Sequence, residues 1–267
     1  MPFVDVDSSP LLPGVQPVSV FYRDFGTGRP LVFLHGGWGY EVYPFDRQIE
    51  ALADRFRIVI PDRTGYGRSG RLSSLGPDFH HHAANETLAL VDELGLERPV
   101  LWGHSDGAVI AILLGLREPG RFDRLVLEAT HFLRQKPGSR AFFDEMMRDP
   151  DGLGDRVAAV LAREHGETDW RPLIRLNGMA WLRIADESPR PDADLYDGRL
   201  SRLQVPALVL HGARDPRTEP GELDQMMRHL PRARLAILEE GGHSPHSERA
   251  VADEATRVAV EFLGQLA

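Results

Sequence analysis

The chain has 267 residues, of which 42% are hydrophobic and 27% charged, and its formal net charge is −9. This length and balance predict a globular protein with one large domain, or one domain that carries an insertion. The negative charge argues against a nucleic-acid binder and leaves no basic patch for a membrane surface. The absence of cysteine excludes disulfides, thiolate metal sites and cysteine catalysis.

The N-terminal residues 1–16 contain acidic residues and prolines, but no basic segment followed by an apolar core. We therefore expect no signal peptide in this segment. No apolar run in the chain reaches the length of a transmembrane helix. The resulting expectation is a cytoplasmic protein with no membrane partner.

The first half of the chain alternates strand patterns with a helical pattern. Residues 18–22 alternate apolar and polar side chains, which predicts a strand before the turn at 26–28. Residues 31–34 and 58–60 are short continuous apolar runs, typical of strands covered on both faces. Between them, residues 44–54 have the spacing of a helix.

The same alternation continues toward the C-terminus. One helical pattern ends at Gly95, a typical C-cap residue, and a long apolar helix begins near Ala108. Further strands are predicted at residues 100–102, 125–127, 208–210 and 235–238, and a last helix at 247–266. Strands that alternate with helices predict an α/β fold, with a mostly parallel twisted sheet and helices on both faces.

One segment interrupts this alternation. From about His131 to Leu203 no buried strand is visible, and the composition becomes helical, rich in arginine and interrupted by proline. We predict a single catalytic domain in which residues 1–130 and 204–267 form the core and residues 131–203 form an inserted helical cap. The aromatic residues of this segment either pack in the cap's own core or face a ligand.

Ser105 stands in the pentapeptide Gly-His-Ser-Asp-Gly at residues 103–107, between a predicted strand and a predicted helix. This G-x-S-x-G pattern is typical of a nucleophile elbow, a turn so sharp that only glycine fits on either side of the serine. The pattern alone is also compatible with an ordinary turn and an exposed serine. Partners elsewhere in the chain therefore decide between the two interpretations.

Two candidate partners follow later strands. Asp215 comes after the strand at 208–210, and His243 comes after the strand at 235–238. Because loops that follow parallel strands lie along one edge of a sheet, Ser105, Asp215 and His243 are expected to converge. A histidine near neutral pKa can take the serine proton, and a carboxylate can hold the imidazole tautomer and stabilise the imidazolium. The order serine, acid, histidine is that of an elbow-type triad.

The negative oxygen that develops on an acyl substrate needs backbone donors. The first candidate is the N–H of Asp106, directly after the serine at a helix N-terminus. The second is the N–H of Gly37, in the His-Gly-Gly-Trp-Gly loop at residues 35–39. Each such donor contributes about 3 kcal/mol to transition-state stabilisation.

These motifs, with Asp-Arg-Thr-Gly-Tyr-Gly-Arg-Ser at residues 62–69, resemble those of the α/β-hydrolase-fold superfamily, in its cap-bearing serine hydrolase and esterase branch. The resemblance covers essentially the whole chain outside residues 131–203. It implies the α/β-hydrolase fold, the triad and the oxyanion hole named above, and no cofactor. Thr64 departs from the Arg or Pro of many relatives, which concerns a structural loop. Serine rather than aspartate at position 105 excludes the kind of relative that resembles haloalkane dehalogenases and epoxide hydrolases.

Several residues have alternative interpretations. Glu128 follows an earlier strand, where some relatives place the acid, although Asp215 is preferred. The run His80-His81-His82 resembles a metal tract, but adjacent histidines at the start of a helix point in different directions, so we expect a solvated helix entrance and no metal site. Asp106 either favours the helix N-terminus or, as in relatives similar to amino-acid-ester hydrolases, recognises a cationic group of the substrate.

The substrate is expected to be a small molecule held between the core loops and the cap. The candidate substrate-binding residues are Trp38, Tyr40, His131, Trp181 and His246. For His246, a surface histidine with satisfied hydrogen bonds is an equal alternative. The oligomeric state is not predictable from the sequence.

The leading functional hypothesis is a serine hydrolase that cleaves a small carboxylic ester, or a related acyl compound, through an acyl-enzyme. The same triad also serves C–C bond hydrolysis, perhydrolysis or a lyase reaction. Ser244 stands where C–C hydrolase relatives often have Trp, which disfavours C–C hydrolysis. A third hypothesis is a small-molecule receptor that retains the fold and its pocket.

Overall fold

Short apolar segments form an eight-stranded sheet within residues 2–264, the part of the chain that the computed structural model describes. The strands are β1 (Phe3–Val6), β2 (Val18–Phe25), β3 (Arg29–Leu34), β4 (Phe56–Pro61), β5 (Val100–His104), β6 (Leu125–Glu128), β7 (Ala207–Gly212) and β8 (Arg234–Leu238). They lie in the order β1-β2-β4-β3-β5-β6-β7-β8. Every residue of β5, β6 and β7 is buried. These strands therefore read as continuous apolar runs in the sequence.

The sheet is mostly parallel, as predicted. β1 pairs antiparallel with β2, and β2 pairs antiparallel with β4, whereas the pairings among β3 to β8 are parallel. β1 was not predicted from the sequence; it pairs with β2 in the register Val4 with Val20. This strand is only four residues long, and two of the four are exposed. It therefore lacks the apolar run that marks the central strands.

Helices cover both faces of the sheet. They are α1 (Asp46–Leu52), α2 (Phe79–Glu93), α3 (Asp106–Arg117), α4 (Arg140–Arg148), α5 (Asp155–His165), α6 (Trp170–Asp186), α7 (Glu222–His229) and α8 (Ala252–Gly264). One core joins Phe33 and Trp102 of the sheet to α1 and α8, and a second core joins Val32 and Leu101 to α2 and α3. Successive strand residues thus face opposite cores, as the pleat requires. The long apolar run of α3 is explained because ten consecutive residues of that helix are buried.

The C-terminal helix is shorter than the predicted 247–266. It begins at Ala252 because residues 247–251 form turns, in which the N–H groups of Ser247 and Glu248 donate to the Ser244 carbonyl. The predicted helix residues 265 and 266, and residue 267 of the predicted second core segment, lie outside the described residues.

The chain between β6 and β7 contains α4, α5, α6 and two one-turn 3-10 helices at Pro150–Leu153 and Leu200–Arg202. Helices α4 and α6 approach closely at Gly178, where an added Cβ would lie 2.6 Å from the Phe143 carbonyl oxygen. One turn away, the Phe143 ring stacks on Trp181 at 5.2 Å between centroids. Phe143 and Trp181 therefore join α4 to α6. The division into core and cap stays a prediction.

Among residues 2–264, none of the helices combines the length and the apolar character that crossing a bilayer requires.

Candidate active site

The turn at Ser105 is sharp because two glycines let backbone segments approach. A Cβ on Gly103 would lie 2.2 Å from the Gly107 carbonyl oxygen, and a Cβ on Gly107 would lie 2.0 Å from the Leu34 carbonyl oxygen. Ser105 itself has φ 54° and ψ −119°, a conformation that non-glycine residues rarely adopt. Its N–H donates to the Glu128 carbonyl at 2.9 Å, which ties the turn to β6.

The structure brings Ser105, His243 and Asp215 together at the C-terminal edge of the sheet. His243 Nε2 lies 3.1 Å from Ser105 Oγ, and His243 Nδ1 lies 3.0 Å from each carboxylate oxygen of Asp215. Burial alone would raise the pKa of Asp215, but His243 and the backbone N–H of Arg217 hold this pKa well below its ordinary value. Asp215 is therefore ionised near neutral pH and accepts the Nδ1–H. In this tautomer Nε2 is free to accept a proton from Ser105.

Glu128, the alternative acid, is paired with a different histidine. Both ring nitrogens of His246 face oxygen acceptors: Nδ1 lies 2.8 Å from Glu128 Oε1, and Nε2 lies 3.0 Å from the Tyr43 carbonyl. Glu128 also accepts the His246 N–H and the Trp102 Nε1–H. Burial acts to raise the pKa of Glu128, but His246 lowers it to about 2. This fully buried pair lies beside the elbow strand and contacts neither His243 nor the Ser105 hydroxyl.

A cavity of about 190 Å³ opens at Ser105. It is lined by backbone and side chains of the core loops and by residues of α4 and α6; these are Gly36, Gly37, Trp38, Tyr43, His104, Ser105, Asp106, His131, Phe142, Phe143, Met146, Asn177, Trp181, Pro216, Arg217 and His243. The predicted donors Gly37 and Asp106 therefore stand beside the serine. Among the predicted substrate-binding residues, Trp38, His131 and Trp181 line this cavity.

The structure does not place Tyr40 and His246 in this cavity. The Tyr40 hydroxyl donates to Asp46 at 3.2 Å, and its ring packs on Phe45, so the side chain points into the core below the loop. His246 is fully buried, with its ring stacked on Phe45 at 4.1 Å. Neither side chain lines the cavity, because both bind core partners that are not recognisable in the sequence. A role of either residue in substrate binding stays a prediction.

Other lining residues were not identified from the sequence. For the aromatic residues of 131–203 the sequence left two alternatives open, and Phe142 and Phe143, together with Met146, line the cavity. Arg217 and Asn177 gave no motif at all. The only signal for Arg217 was its position two residues after Asp215, in a loop that follows a strand.

His131 lies beside both Ser105 and His243. Its Nε2 is 3.4 Å from Ser105 Oγ, and its ring stacks on His243 at 5.7 Å between centroids. Burial lowers the pKa of His131 well below its ordinary value, so this imidazole is neutral near pH 7. It adds a polar, uncharged group to the wall beside Ser105.

The Asp106 carboxylate is held by three side chains. Oδ1 accepts from His80 Nε2 at 3.0 Å and from Trp181 Nε1 at 3.1 Å, and Oδ2 lies 3.5 Å from Asn177 Nδ2. Burial acts to raise the pKa of Asp106, but His80, Arg63 and Asn177 lower it to about 2. The carboxylate thus links the elbow to α2 and α6, and its use for a cationic substrate stays a prediction.

The histidine run at residues 80–82 is only partly solvated. His80 is buried against Asp106, whereas His81 and His82 are half-buried. The expectation of a solvated helix entrance was therefore wrong for His80, since its partner lies 26 residues away in the sequence. Within residues 2–264, no group of three or more histidine, cysteine or acidic side chains is placed to hold a metal ion.

Two residues at the end of α5 hold the loop that carries Gly37. Glu164 accepts the N–H groups of Tyr40 at 2.7 Å and Glu41 at 2.9 Å. His165 Nδ1 accepts the Gly67 N–H at 2.9 Å, which leaves Nε2–H to donate to the Trp38 carbonyl at 3.0 Å. The position of this loop therefore depends on α5.

The chain was compared with known proteins. The profile of the alpha/beta hydrolase family matches residues 31–255, which is most of the sequence. The chain belongs to this family.

Similar proteins include esterases. A pimeloyl-[acyl-carrier protein] methyl ester esterase of Nitrosomonas europaea is 32% identical over 254 residues, covering 85% of this chain and 93% of the esterase. A non-heme haloperoxidase of Rhodococcus erythropolis is 36% identical over 230 residues, with 77% and 82% covered. The solved structure of a thermophilic esterase from Thermogutta terrifontis superposes with a TM-score of 0.73 at 25% identity, covering 99% of both chains. These similarities support a hydrolase.

Proposed function

We propose that this member of the alpha/beta hydrolase family is a serine hydrolase that cleaves a small carboxylic ester. The observation that carries the proposal is the continuous hydrogen-bonded chain from Ser105 Oγ through His243 to Asp215, at 3.1 and 3.0 Å. This is the arrangement of a nucleophile, a general base and a residue that orients the base. The esterase relatives support the same chemistry.

In the first half of the proposed reaction, His243 Nε2 takes the Ser105 proton while Oγ attacks the ester carbonyl. Asp215 stabilises the imidazolium that forms, since its carboxylate is ionised and hydrogen-bonded to Nδ1. The Nε2–H then protonates the leaving alkoxide as the C–O bond breaks. The alcohol departs, and the acyl group remains on Ser105 as an ester.

In the second half, His243 takes a proton from a water molecule that attacks the acyl-enzyme. The resulting tetrahedral intermediate collapses, the proton returns to Ser105 Oγ, and the carboxylic acid leaves. In both halves the negative carbonyl oxygen is expected to lie between the backbone N–H groups of Gly37 and Asp106, which border the cavity beside Ser105. No cofactor takes part in this scheme.

The proposal is tested by acylation of the serine. A burst of 4-nitrophenol from 4-nitrophenyl acetate, together with a mass increase of one acetyl group on the peptide that contains Ser105, is the expected result. Ser105→Ala should abolish both signals. Ser201→Ala, an exposed serine away from the cavity, serves as the matched control and should retain them.

Absence of acylation in the folded wild-type protein would contradict the proposal. It would favour the small-molecule receptor, because a receptor needs the cavity but not the chemistry. Acylation at a residue other than Ser105 would also contradict it.

A further inference from the structure

A cation stands in the wall of the cavity beside the candidate triad. Arg217 lines the cavity that contains Ser105 and His243. It lies in the loop after β7, two residues beyond Asp215, and its backbone N–H donates to Asp215 Oδ1 at 2.8 Å. This bond anchors the Arg217 backbone at the site. Arg217 therefore borders the cavity that a substrate of Ser105 would enter.

Within residues 2–264, the Arg217 guanidinium has no carboxylate within ion-pair distance and donates no side-chain hydrogen bond. Its Cζ lies instead over the ring of Phe142 of α4, 3.3 Å from the ring centroid. A cation–π contact of this kind uses the face of the guanidinium and leaves its N–H groups available for a ligand. The neighbouring Arg214 differs, because its side chain pairs with Glu240.

The acids near this cation are already engaged. Asp215 binds the imidazole of His243 through both carboxylate oxygens. Asp106 Oδ1 is bound by His80 and Trp181. Burial lowers the pKa of Arg217 against the opposing effects of Asp215 and Tyr43. The guanidinium is thus partly desolvated without a counter-ion of its own, a situation that an anionic ligand relieves.

Part of the cavity wall is apolar. Trp38, Phe142, Phe143 and Met146 contribute apolar side chains to this wall. A ligand that fits both features has an apolar chain and one negative group. Among negative groups, a carboxylate matches the planar two-donor edge of a guanidinium.

We propose that Arg217 binds a second, ionised carboxylate of the substrate, so that the preferred esters are half-esters of dicarboxylic acids or esters with a carboxylate on the alcohol. This inference rests on the proposed hydrolysis by Ser105. The cavity would then select esters that carry an additional carboxylate.

The test compares esters of equal length and different charge. On the acyl side, the end of the chain is negative in monomethyl adipate, neutral in methyl hexanoate and positive in methyl 6-aminohexanoate. On the alcohol side, the anionic 4-acetoxybenzoate is compared with the neutral 4-methylphenyl acetate. The kcat/KM ratio of the anionic to the neutral ester should exceed one in at least one pair. Arg217→Gln should lower that ratio at least about tenfold, because a charged hydrogen-bonded pair contributes that much. Arg217→Lys should restore part of it.

Arg214→Gln is the control, since it removes a charge from the same loop outside the cavity and should leave the ratio unchanged. Binding is measured separately by calorimetry with Ser105→Ala, which should bind monomethyl adipate at least about tenfold more tightly than methyl hexanoate. The double variant Ser105→Ala/Arg217→Gln should lose this difference. Thermal unfolding establishes that each variant is folded.

Serine-dependent hydrolysis with no anion preference on either side would overturn the inference and leave the proposed function intact. A preference for methyl 6-aminohexanoate would overturn it in favour of recognition by Asp106. Failure to hydrolyse any ester would contradict the proposed function, whereas the calorimetric comparison would still decide whether Arg217 binds a carboxylate.

Discussion

Replacing Asp215 by Asn should disable the chemistry while leaving the fold in place. In the wild-type protein both carboxylate oxygens lie 3.0 Å from His243 Nδ1, and they hold the proton on that nitrogen. An amide of the same shape can donate to Nδ1, which moves the imidazole proton to Nε2. That nitrogen faces Ser105 Oγ at 3.1 Å and then has no lone pair to accept the serine proton.

The expected loss combines the wrong tautomer with the missing charge opposite the imidazolium. In serine hydrolases with this arrangement, the change lowers kcat about 10⁴-fold, which corresponds to about 5.5 kcal/mol of transition-state stabilisation. The geometry of the site should change little, since Asn and Asp have the same shape. We therefore expect a large loss of activity in Asp215→Asn with only a small decrease in Tm.

Glu128→Gln is the matched comparison, because Glu128 is the other acid that pairs with a histidine. Glu128 is fully buried and accepts from His246 and Trp102, so loss of its charge should cost about 3 kcal/mol of unfolding free energy. It does not contact His243 or the Ser105 hydroxyl. The kcat of the folded variant should stay within about tenfold of the wild type.

The assay is the pre-steady-state rate of 4-nitrophenol release, with urea unfolding on the same samples. If Asp215→Asn keeps more than about a tenth of the wild-type acylation rate, Asp215 does not orient the base. If Glu128→Gln loses as much acylation as Asp215→Asn, Glu128 is the acid that serves the reaction.

Three further outcomes follow from packing and charge. Gly107→Ala should cost about 3 kcal/mol or more of unfolding free energy, because its Cβ would lie 2.0 Å from the Leu34 carbonyl oxygen; an unchanged Tm would contradict this. Burial raises the pKa of Glu164 to about 7, so ionisation of this carboxyl destabilises the fold. As the pH rises from about 4.5 to about 7, the unfolding free energy of the wild type should fall by up to about 3 kcal/mol relative to that of Glu164→Gln. Urea unfolding at the two ends of this range should show the change, and an equal difference at both would argue against it. The pKa of Asp106 is lowered to about 2, so the ionised carboxylate stabilises the fold above about pH 4, and this stabilisation is lost as the pH falls toward 2. The wild type and Asp106→Asn should therefore differ less in unfolding free energy at about pH 2 than at about pH 4. A constant difference would exclude the effect.

The sequence was sufficient to predict the central sheet, because its strands are buried on both faces. Residues 100–102, 125–127 and 208–210 are uninterrupted apolar runs, and each is the centre or start of a fully buried strand. The edge strand β1 lacked this signal. A four-residue strand with half its residues exposed depends on its partner β2, and pairing between distant segments is not visible in a local pattern.

Ser105, Asp215 and His243 were also recognisable from the sequence alone. Each follows a strand of a parallel sheet, and the topology alone brings such positions to one edge. Glycines at 103 and 107 marked the turn, since a Cβ at either position would meet the backbone. Position along the chain was sufficient for these residues because the backbone sets where they lie.

Only the tertiary structure decided which way the other side chains point. Tyr40 and His246 turn into the core, whereas Arg217 and Phe142 face the cavity. His80 finds its partner 26 residues away. The orientation of a side chain in a loop is set by the residues that the fold brings next to it, and these residues cannot be identified from one sequence. The elements and the reactive edge are thus local properties of this chain, and the shape and charge of the cavity are properties of its tertiary contacts.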